Sequence, residues 1–294
     1  MKAHQAEFPI TRMCRLLGVS TSGYYAWCKR KACPRQREDQ CLLEQIRAIH
    51  KRSRGTYGSP RIWEELTALG ARVSRKRVAR LMRQDGLTGV TRRRRHVTTR
   101  SDKDHPVARD LVGRNFTATA PNQLWVADIT YIPTWAATLY LAVVIDVFSR
   151  RVVGWSMASH MKTTLVVSAL DMAISQRNID KVIHHSDQGS QYTSLAFGLR
   201  CKKAGVVLSM GSVGDCYDNA LCESFFATLE CELLDRVTFK NRKDAEIQIF
   251  DFIEGWYNPH RRHSSIGYLS PNQYESQYKL NTINPNQKLS NKTG

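Results

Sequence analysis

The sequence predicts an α/β fold, a mixed sheet flanked by helices, preceded by a small all-α region of helix-turn-helix type. Three observations predict it. Positive charge is segregated, with 27 Lys and Arg against 10 Asp and Glu in residues 1–115 and 17 against 16 in residues 116–294. The first part shows apolar residues at helical spacing, whereas the second opens on β-branched runs separated by short turns. Those runs then alternate with helical segments, and 294 residues are enough to bury a sizeable core.

The formal charge of +18 resides almost wholly in the first part, at +17 against +1 for the remainder. Charge gathered on one segment of a nearly neutral chain is the footprint of a polyanion partner, and a nucleic acid leads the candidates. The eight cysteines show no paired C-x2-C spacing or Cys/His ladder, so they read as reduced small apolar residues. No apolar run approaches the roughly 20 residues of a membrane span and no signal peptide is evident, so a cytoplasmic location is expected, with no membrane partner.

Within the first part, a helix ending at Leu16-Leu17 meets Gly18, and Ser20 or Thr21 caps a second helix with Tyr24, Tyr25 and Trp27. Leu42, Leu43, Ile46 and Ile49 keep helical spacing. Gly55 to Pro60 breaks it, Ile62, Trp63, Leu66 and Leu69 resume it, and Gly70 ends it. Ser74 caps a further helix whose apolar stripe is Val78, Leu81 and Met82, with Arg75, Lys76, Arg77, Arg80 and Arg83 on the remaining faces. Such a helix fits a major groove. With Arg92, Arg93, Arg94 and Arg95 close behind, DNA contact is favoured over a merely solvated basic face.

Residues 96–120 are polar and aperiodic, with Pro106 and Gly113, and read as a linker. Three strands follow, Gln123–Ile132, Thr138–Val147 and Arg151–Met157. A helix carrying Leu165, Val166, Ala169, Leu170 and Ala173 leads to a strand at Lys181–His185. A helix at Leu195–Ala204, a strand at Val206–Ser209 and one more helix complete the order β-β-β-α-β-α-β-α. That order is the one ribonuclease-H-like cores show. The expected organisation is therefore a basic helical DNA-binding region at 1–95, a linker at 96–120, a catalytic core at 121–275 and a polar tail at 276–294.

Three carboxylates stand out. Asp128 interrupts a strand otherwise suited to burial, where an acid is costly unless it is paired or binds a cation. Asp187 follows a strand directly, at the kind of strand exit where sites form. Glu223 lies at the edge of the apolar arc formed by Leu221, Cys222, Phe225, Phe226, Leu229 and Leu233 on a helix that Asp218 or Asn219 could cap. Thirty-five residues separate Asp187 from Glu223. Acids so placed can hold two divalent ions about 4 Å apart for in-line phosphoryl displacement, and hard oxygen ligands suit Mg2+ or Mn2+. Any one of them alone would read as a surface or salt-bridged carboxylate. His184 and His185 adjoin the triad and are read as supporting residues at most. Asp146 reads as a structural partner of Arg150 or Arg151 rather than an auxiliary acid, and Asp215 and Asp218 as part of the turn before the Glu223 helix.

Four segments carry a resemblance. Trp125-Val126-Ala127-Asp128-Ile129-Thr130-Tyr131, His185-Ser186-Asp187-Gln188-Gly189-Ser190-Gln191-Tyr192, Cys216-Tyr217-Asp218-Asn219-Ala220 followed by Glu223-Ser224-Phe225-Phe226, and Tyr257-Asn258-Pro259-His260-Arg261-Arg262-His263-Ser264 are similar to the OrfB-type transposases of the insertion sequence three family. The resemblance runs from about residue 40 to 275. It implies a retroviral-integrase-like core whose D-D-E triad maps onto Asp128, Asp187 and Glu223, cleaving DNA at an element end and joining the freed 3′-hydroxyl to a target strand. It also implies a homo-oligomer, and an upstream helix-turn-helix protein with which members are commonly fused by frameshifting. The family usually has a basic residue seven positions after the glutamate. Here that position is Glu230, on the same helix face as Glu223, and weaker contact with the element end is expected. Arg261 and Arg262 are expected to contact phosphate. A purely hydrolytic ribonuclease-H-like nuclease and an inactive DNA-binding regulator are the competing readings; the long basic segment and the Tyr257–Ser264 stretch weigh against the first, the intact triad against the second.

Overall fold

A computed structural model describes residues 1–30, 33–91, 108–113, 115–211 and 220–283. Two short helices, α1 (Ile10–Leu16) and α2 (Thr21–Lys29), meet at Gly18, whose φ of +64° makes the turn a glycine favours. Ser20 caps α2 by accepting the Gly23 amide at 3.0 Å. Next come α3 (Pro34–Arg52), α4 (Ser59–Ala68) and α5 (Arg75–Gln84). They close around Ile46, Ile49, Ile62, Leu66, Val78, Leu81 and Met82, the apolar positions that the helical spacing picks out. Ser74 caps α5 through the Arg77 amide.

Five strands form one sheet in the order β3-β2-β1-β4-β5. They are β1 (Leu124–Ile132), β2 (Leu139–Asp146), β3 (Val152–Ala158), β4 (Val182–Ser186) and β5 (Val206–Met210). The first three pair antiparallel, and β4 and β5 add in parallel beyond β1, each reached through a helix. These crossover helices, α6 (Thr163–Gln176) and α7 (Leu195–Ala204), pack with Trp125, Ala127, Val144 and Val153 on one face of the sheet. A side chain at Gly154 would clash with the Ala169 carbonyl, so α6 lies directly on β3. This is the ribonuclease-H-like arrangement.

The other face carries Leu124, Val126, Leu141, Val143 and Ile145. It is covered by α8 (Ala220–Leu229), α9 (Arg242–Phe250) and the chain beyond. Two π-helical segments interrupt this layer, Glu230–Leu234 after α8 and Asp251–Tyr257 after α9. A short helix α10 (Asn258–His260) and a final helix α11 (Pro271–Ile283) complete it. Nothing in the apolar spacing signals the π turns.

The helical unit is not set apart from the core. Tyr57 stacks near Trp256, its hydroxyl accepts the Arg262 amide at 2.8 Å and donates to the His260 carbonyl at 3.3 Å, and Arg61 donates to the Arg262 carbonyl. Arg262 itself reaches Glu65 at 2.7 Å, and Glu232 is held by Arg261 at 2.8 Å. Parts of the expected linker and of the expected tail pack with the core. Of the expected linker, 108–113 and 115–120 are described; Val112 is buried, the Leu111 amide donates to the Ser209 hydroxyl and Phe116 lies against His185. The expected tail is helical to Ile283, because Glu275 is bound by Arg151, Arg177 and Ser149 and Phe148 packs on Tyr274 and Tyr278.

Removing one partner of a buried pair leaves the other charge uncompensated. Glu232→Ala should therefore lower the unfolding free energy by about 3–5 kcal/mol in urea titration, while Lys76→Ala stays within about 0.5 kcal/mol of the parent. Equal, small losses in both variants would show that the pair is not a stabilising contact.

Candidate active site

Asp128 projects from β1 toward the α8 layer, since its even-numbered neighbours Leu124 and Val126 lie in that cluster. The Ile129 amide donates to its carboxylate at 2.7 Å. Asp187 follows β4 at once, accepts the Gly189 amide at 3.1 Å and stands exposed at the strand exit. Its neighbour Gln188 ties the loop to β5 by donating to the Gly211 carbonyl. Glu223 sits in the first turn of α8, exposed, beside the buried Leu221, Cys222 and Phe225.

Electrostatics draw the three together. Burial, then Asp187 and more weakly Glu223, push the Asp128 carboxyl from 3.8 up to about 7 against the opposing Ile129 amide. The buried Cys222 thiol is raised well above its ordinary value by burial and then by Asp128, Asp187 and Glu223 in turn. None of the three has an ion-pair partner among the described residues. Nor, among those residues, is any set of three His, Cys, Asp or Glu side chains gathered tightly enough to coordinate a metal ion. Asp187 and Glu223 act on the Asp128 carboxyl by like-charge repulsion, and all three acids act on the Cys222 thiol. Their donors are hard oxygens, the ligand type that fits Mg2+ or Mn2+.

Neighbouring groups sort by face. His184 is buried beside Tyr192 and Phe197 with both ring nitrogens unbonded, and burial pushes it down to about 4, so it is a neutral packing residue. His185 sets Nδ1 3.0 Å from the Ser209 hydroxyl. The Asp146 carboxylate accepts the Asn122 and Ser149 amides at 2.7 and 3.1 Å and the Ser149 hydroxyl at 3.4 Å, while Arg150 and Arg151 meet Asp146 through backbone hydrogen bonds. Glu230 opens the π segment, half-buried, where its carbonyl accepts the Asp235 amide. Asp215, Asp218 and Asn219 lie outside the described residues. The residue that sequence reasoning missed is Tyr192, 3% exposed, with a hydroxyl that has no hydrogen-bond partner among the described residues. Its position at the end of the Asp187 motif was the available signal.

The basic residues divide sharply. Arg75 and Lys76 are exposed on α5 and make no side-chain hydrogen bond or ion pair among the described residues. Arg77 pairs with Asp39 and Glu38, and Arg80 with Asp39, whose carboxyl they hold below the usual range. Arg92, Arg93, Arg94 and Arg95 lie outside the described residues. The expectation for Arg261 and Arg262 is corrected. They are 5% and 8% exposed, and Glu232, Glu65 and the Tyr268 carbonyl take up their N–H groups.

Comparison with known proteins supplies the context. An integrase core domain matches at residues 118–216, a second integrase core domain model at 204–271, and an HTH-like domain at 36–95. The chain is 38% identical over 277 residues to the transposase for insertion sequence element IS629 of Shigella sonnei, covering 92% of this chain and 93% of that one. It is 41% identical over 279 residues to transposase InsF for insertion sequence IS3A of Escherichia coli, covering 94% and 97%. Among solved structures, the HTLV-2 integrase catalytic core domain in complex with magnesium aligns at 19% identity and a TM-score of 0.39, over 53% of this chain and 98% of that one.

The raised Asp128 carboxyl has a sign that can be checked. Its proton is held more tightly in the folded state, so ionised Asp128 costs stability increasingly as pH rises from about 4 to about 7, and fully above that. In EDTA, Asp128→Asn should melt several degrees above the parent at pH 8 and close to it at pH 4.5, by scanning fluorimetry. A variant less stable than the parent at pH 8 would contradict the repulsion.

Proposed function

Because the chain belongs to the transposases of IS3-family insertion sequences, we propose that it cleaves DNA at the ends of such an element and joins them to a target, with Asp128, Asp187 and Glu223 as the catalytic carboxylates. The observation that supports the residue assignment is the convergence of the three on Cys222, unpaired in a chain rich in cations. Integrase-type cores use divalent metal. We infer two Mg2+ or Mn2+ ions held by the triad, which when bound lower the pKa of the attacking hydroxyl and stabilise the leaving oxygen. The chain's own residues set the geometry. Asp128 is fixed on a central strand with its carboxylate oriented by the Ile129 amide, Asp187 is steadied by the Gly189 amide, and Glu223 approaches on the helix laid over that face.

DNA is the partner. Phosphate contact is assigned to Arg75 and Lys76 on the exposed side of α5, the helix that the HTH-like match includes. Arg92, Arg93, Arg94 and Arg95 fall within the same match and are proposed to extend that contact. Two element ends and a target call for more than one copy of the site, so a homo-oligomer is inferred, with an upstream helix-turn-helix protein or a fusion to it as the further partner. No helix among the described residues is long and apolar enough to cross a membrane.

A labelled element end incubated with Mg2+ should give joined product with the parent, while Asp187→Asn gives neither joined nor nicked product yet still shifts the end fragment in a gel. Joining by Asp187→Asn at the parental rate would remove the triad. Cleavage without joining by the parent would leave a nuclease, and a shift with neither product a regulator.

End binding should also weaken steeply between about 50 and 200 mM salt. Replacing Arg75 and Lys76 together by Ala should reduce the log-log slope by roughly 2 units. An unchanged slope would remove both from the interface.

A further inference from the structure

The turn between β1 and β2 carries the most exposed aromatic side chain among the described residues, Trp135 at 80%. The strands pair as far as Ile132↔Leu139, and the turn beyond them is held in shape. The Thr134 hydroxyl donates to the Ala137 carbonyl at 2.5 Å and accepts the Ala137 amide at 3.1 Å. The Trp135 amide donates to the Phe239 carbonyl and Nε of Arg242 to the Thr138 carbonyl, each at 3.1 Å. Phe239 is buried in the cluster of Leu124 and Val126, so the turn is tied to the layer on the face toward which Asp128 is turned. Tyr131, also exposed, alternates to the opposite face.

The turn lies at the acid end of the sheet. β4 pairs in parallel with β1 up to Val126↔His185, and two more steps of that register bring Asp128 level with Asp187. From Asp128 the strand runs four residues on to Ile132, about 13 Å, or about four nucleotide steps along a DNA strand. Beside the turn, Lys240 and Lys243 are exposed and Arg242 is half-buried, and none of the three is in an ion pair among the described residues. The acid of this segment, Asp244, accepts the Lys240 amide and the Gln248 side chain instead.

A single exposed apolar residue calls for no explanation. A tryptophan on a doubly tied turn, among unpaired cations and at the acid end of the sheet, is a different case. A flat ring with cations around it is what unpaired nucleotides rest on, the ring under the base and the cations on the phosphates. Three cations to one acid also match a polyanion and repel a second copy of the same patch. We propose that the β1–β2 turn is a stacking subsite for an unpaired DNA base, with Trp135 under the base, Lys240 and Lys243 on the flanking phosphates and Arg242 holding the turn. It rests on the reading of Asp128, Asp187 and Glu223 as the cleaving site, which places the base about four steps from the broken bond. A stacked base fixes the position of that strand over the acids, which phosphates alone cannot do because every phosphate is alike.

Element ends carrying 2-aminopurine at successive positions of the cleaved strand, with the terminal pairs either matched or mismatched, test this on the full chain by anisotropy and by quenching of the reporter base. The parent should bind the mismatched end about tenfold more tightly than the matched one, and quench the reporter most at about the fourth step. Trp135→Ala should lose both the preference and the quenching while melting with the parent and binding the matched end unchanged. Trp135→Phe, which keeps a flat ring, should retain most of the quenching. Lys240→Ala with Lys243→Ala should weaken both ends alike. Preference and quenching retained in Trp135→Ala would overturn the subsite, and a changed sedimentation coefficient in that variant with the preference intact would make the turn a protein interface instead. Asp187→Asn separates the two levels. Joining by it at the parental rate overturns the acid site and the four-step placement with it, whereas retained quenching in Trp135→Ala overturns the stacking subsite and leaves the acids in place.

Discussion

Glu232 against Arg261 is the contact on which the arrangement of this chain depends. Both side chains are buried, so their desolvation must be offset by bonds of good geometry. Arg261 supplies three, at 2.8, 3.0 and 3.1 Å, Trp256 adds its indole N–H at 3.4 Å, and Arg61 stands 3.9 Å away. Those residues come from three parts of the chain: the continuation of α8, the segment after α9, and α4 of the helical unit. A π turn admits an extra residue and shifts the phase of the later residues by about 100°, bringing Glu232 to the inner side. The ion pair therefore pins α8 nine residues beyond Glu223, and the position of that acid over the sheet is coupled to the seating of the basic helices.

The same constraint governs the other arginines. A sequence counts guanidinium groups but does not show their partners, and four of the basic residues weighed for DNA contact are committed elsewhere. Arg77 and Arg80 tie α5 to α3, and Arg261 and Arg262 lock the late Tyr-Asn-Pro-His-Arg-Arg stretch against Glu232 and Glu65. A buried, forked ion pair is a use for which arginine is better suited than lysine, since its planar donors meet a carboxylate twice. A surface for phosphate must be drawn from what remains exposed.

What the sequence made legible rests on period and burial. All five strands appear within one or two residues of the β-branched runs, because each is bounded by a turn and covered on both faces. The sheet face of Asp128 followed from alternation along β1, and the loop place of Asp187 from the end of an apolar run. The late layer was illegible for a physical reason: two π segments break the 3.6-residue period that reveals a helix. Docking of Leu111 and Phe116 was also hidden, since their hold on the sheet is an amide bond to the Ser209 hydroxyl and a ring contact with His185, neither of which leaves a periodic trace. Tyr192 escaped because a buried tyrosine is indistinguishable in sequence from any other core aromatic, and only the fold shows that its hydroxyl lacks a partner.

Counter-charge is distributed unevenly over the acids of this chain. Glu232 lies within 4 Å of Arg261 and Arg61, Glu275 of Arg177 and Arg151, Asp39 of Arg77 and Arg80, and Glu65 of Arg262 and Arg52. Each of these structural carboxylates is thus given two guanidinium groups. Over the chain as a whole 44 Lys and Arg stand against 26 Asp and Glu. Yet Asp128, Asp187 and Glu223 are given none within the described residues, although the other two acids raise the affinity of Asp128 for its proton. An acid cluster left uncompensated in this way suits a balancing charge from outside the polypeptide. The divalent cation proposed for the triad would supply that charge without the steric bulk of a side chain and leave room on the open side for a phosphodiester.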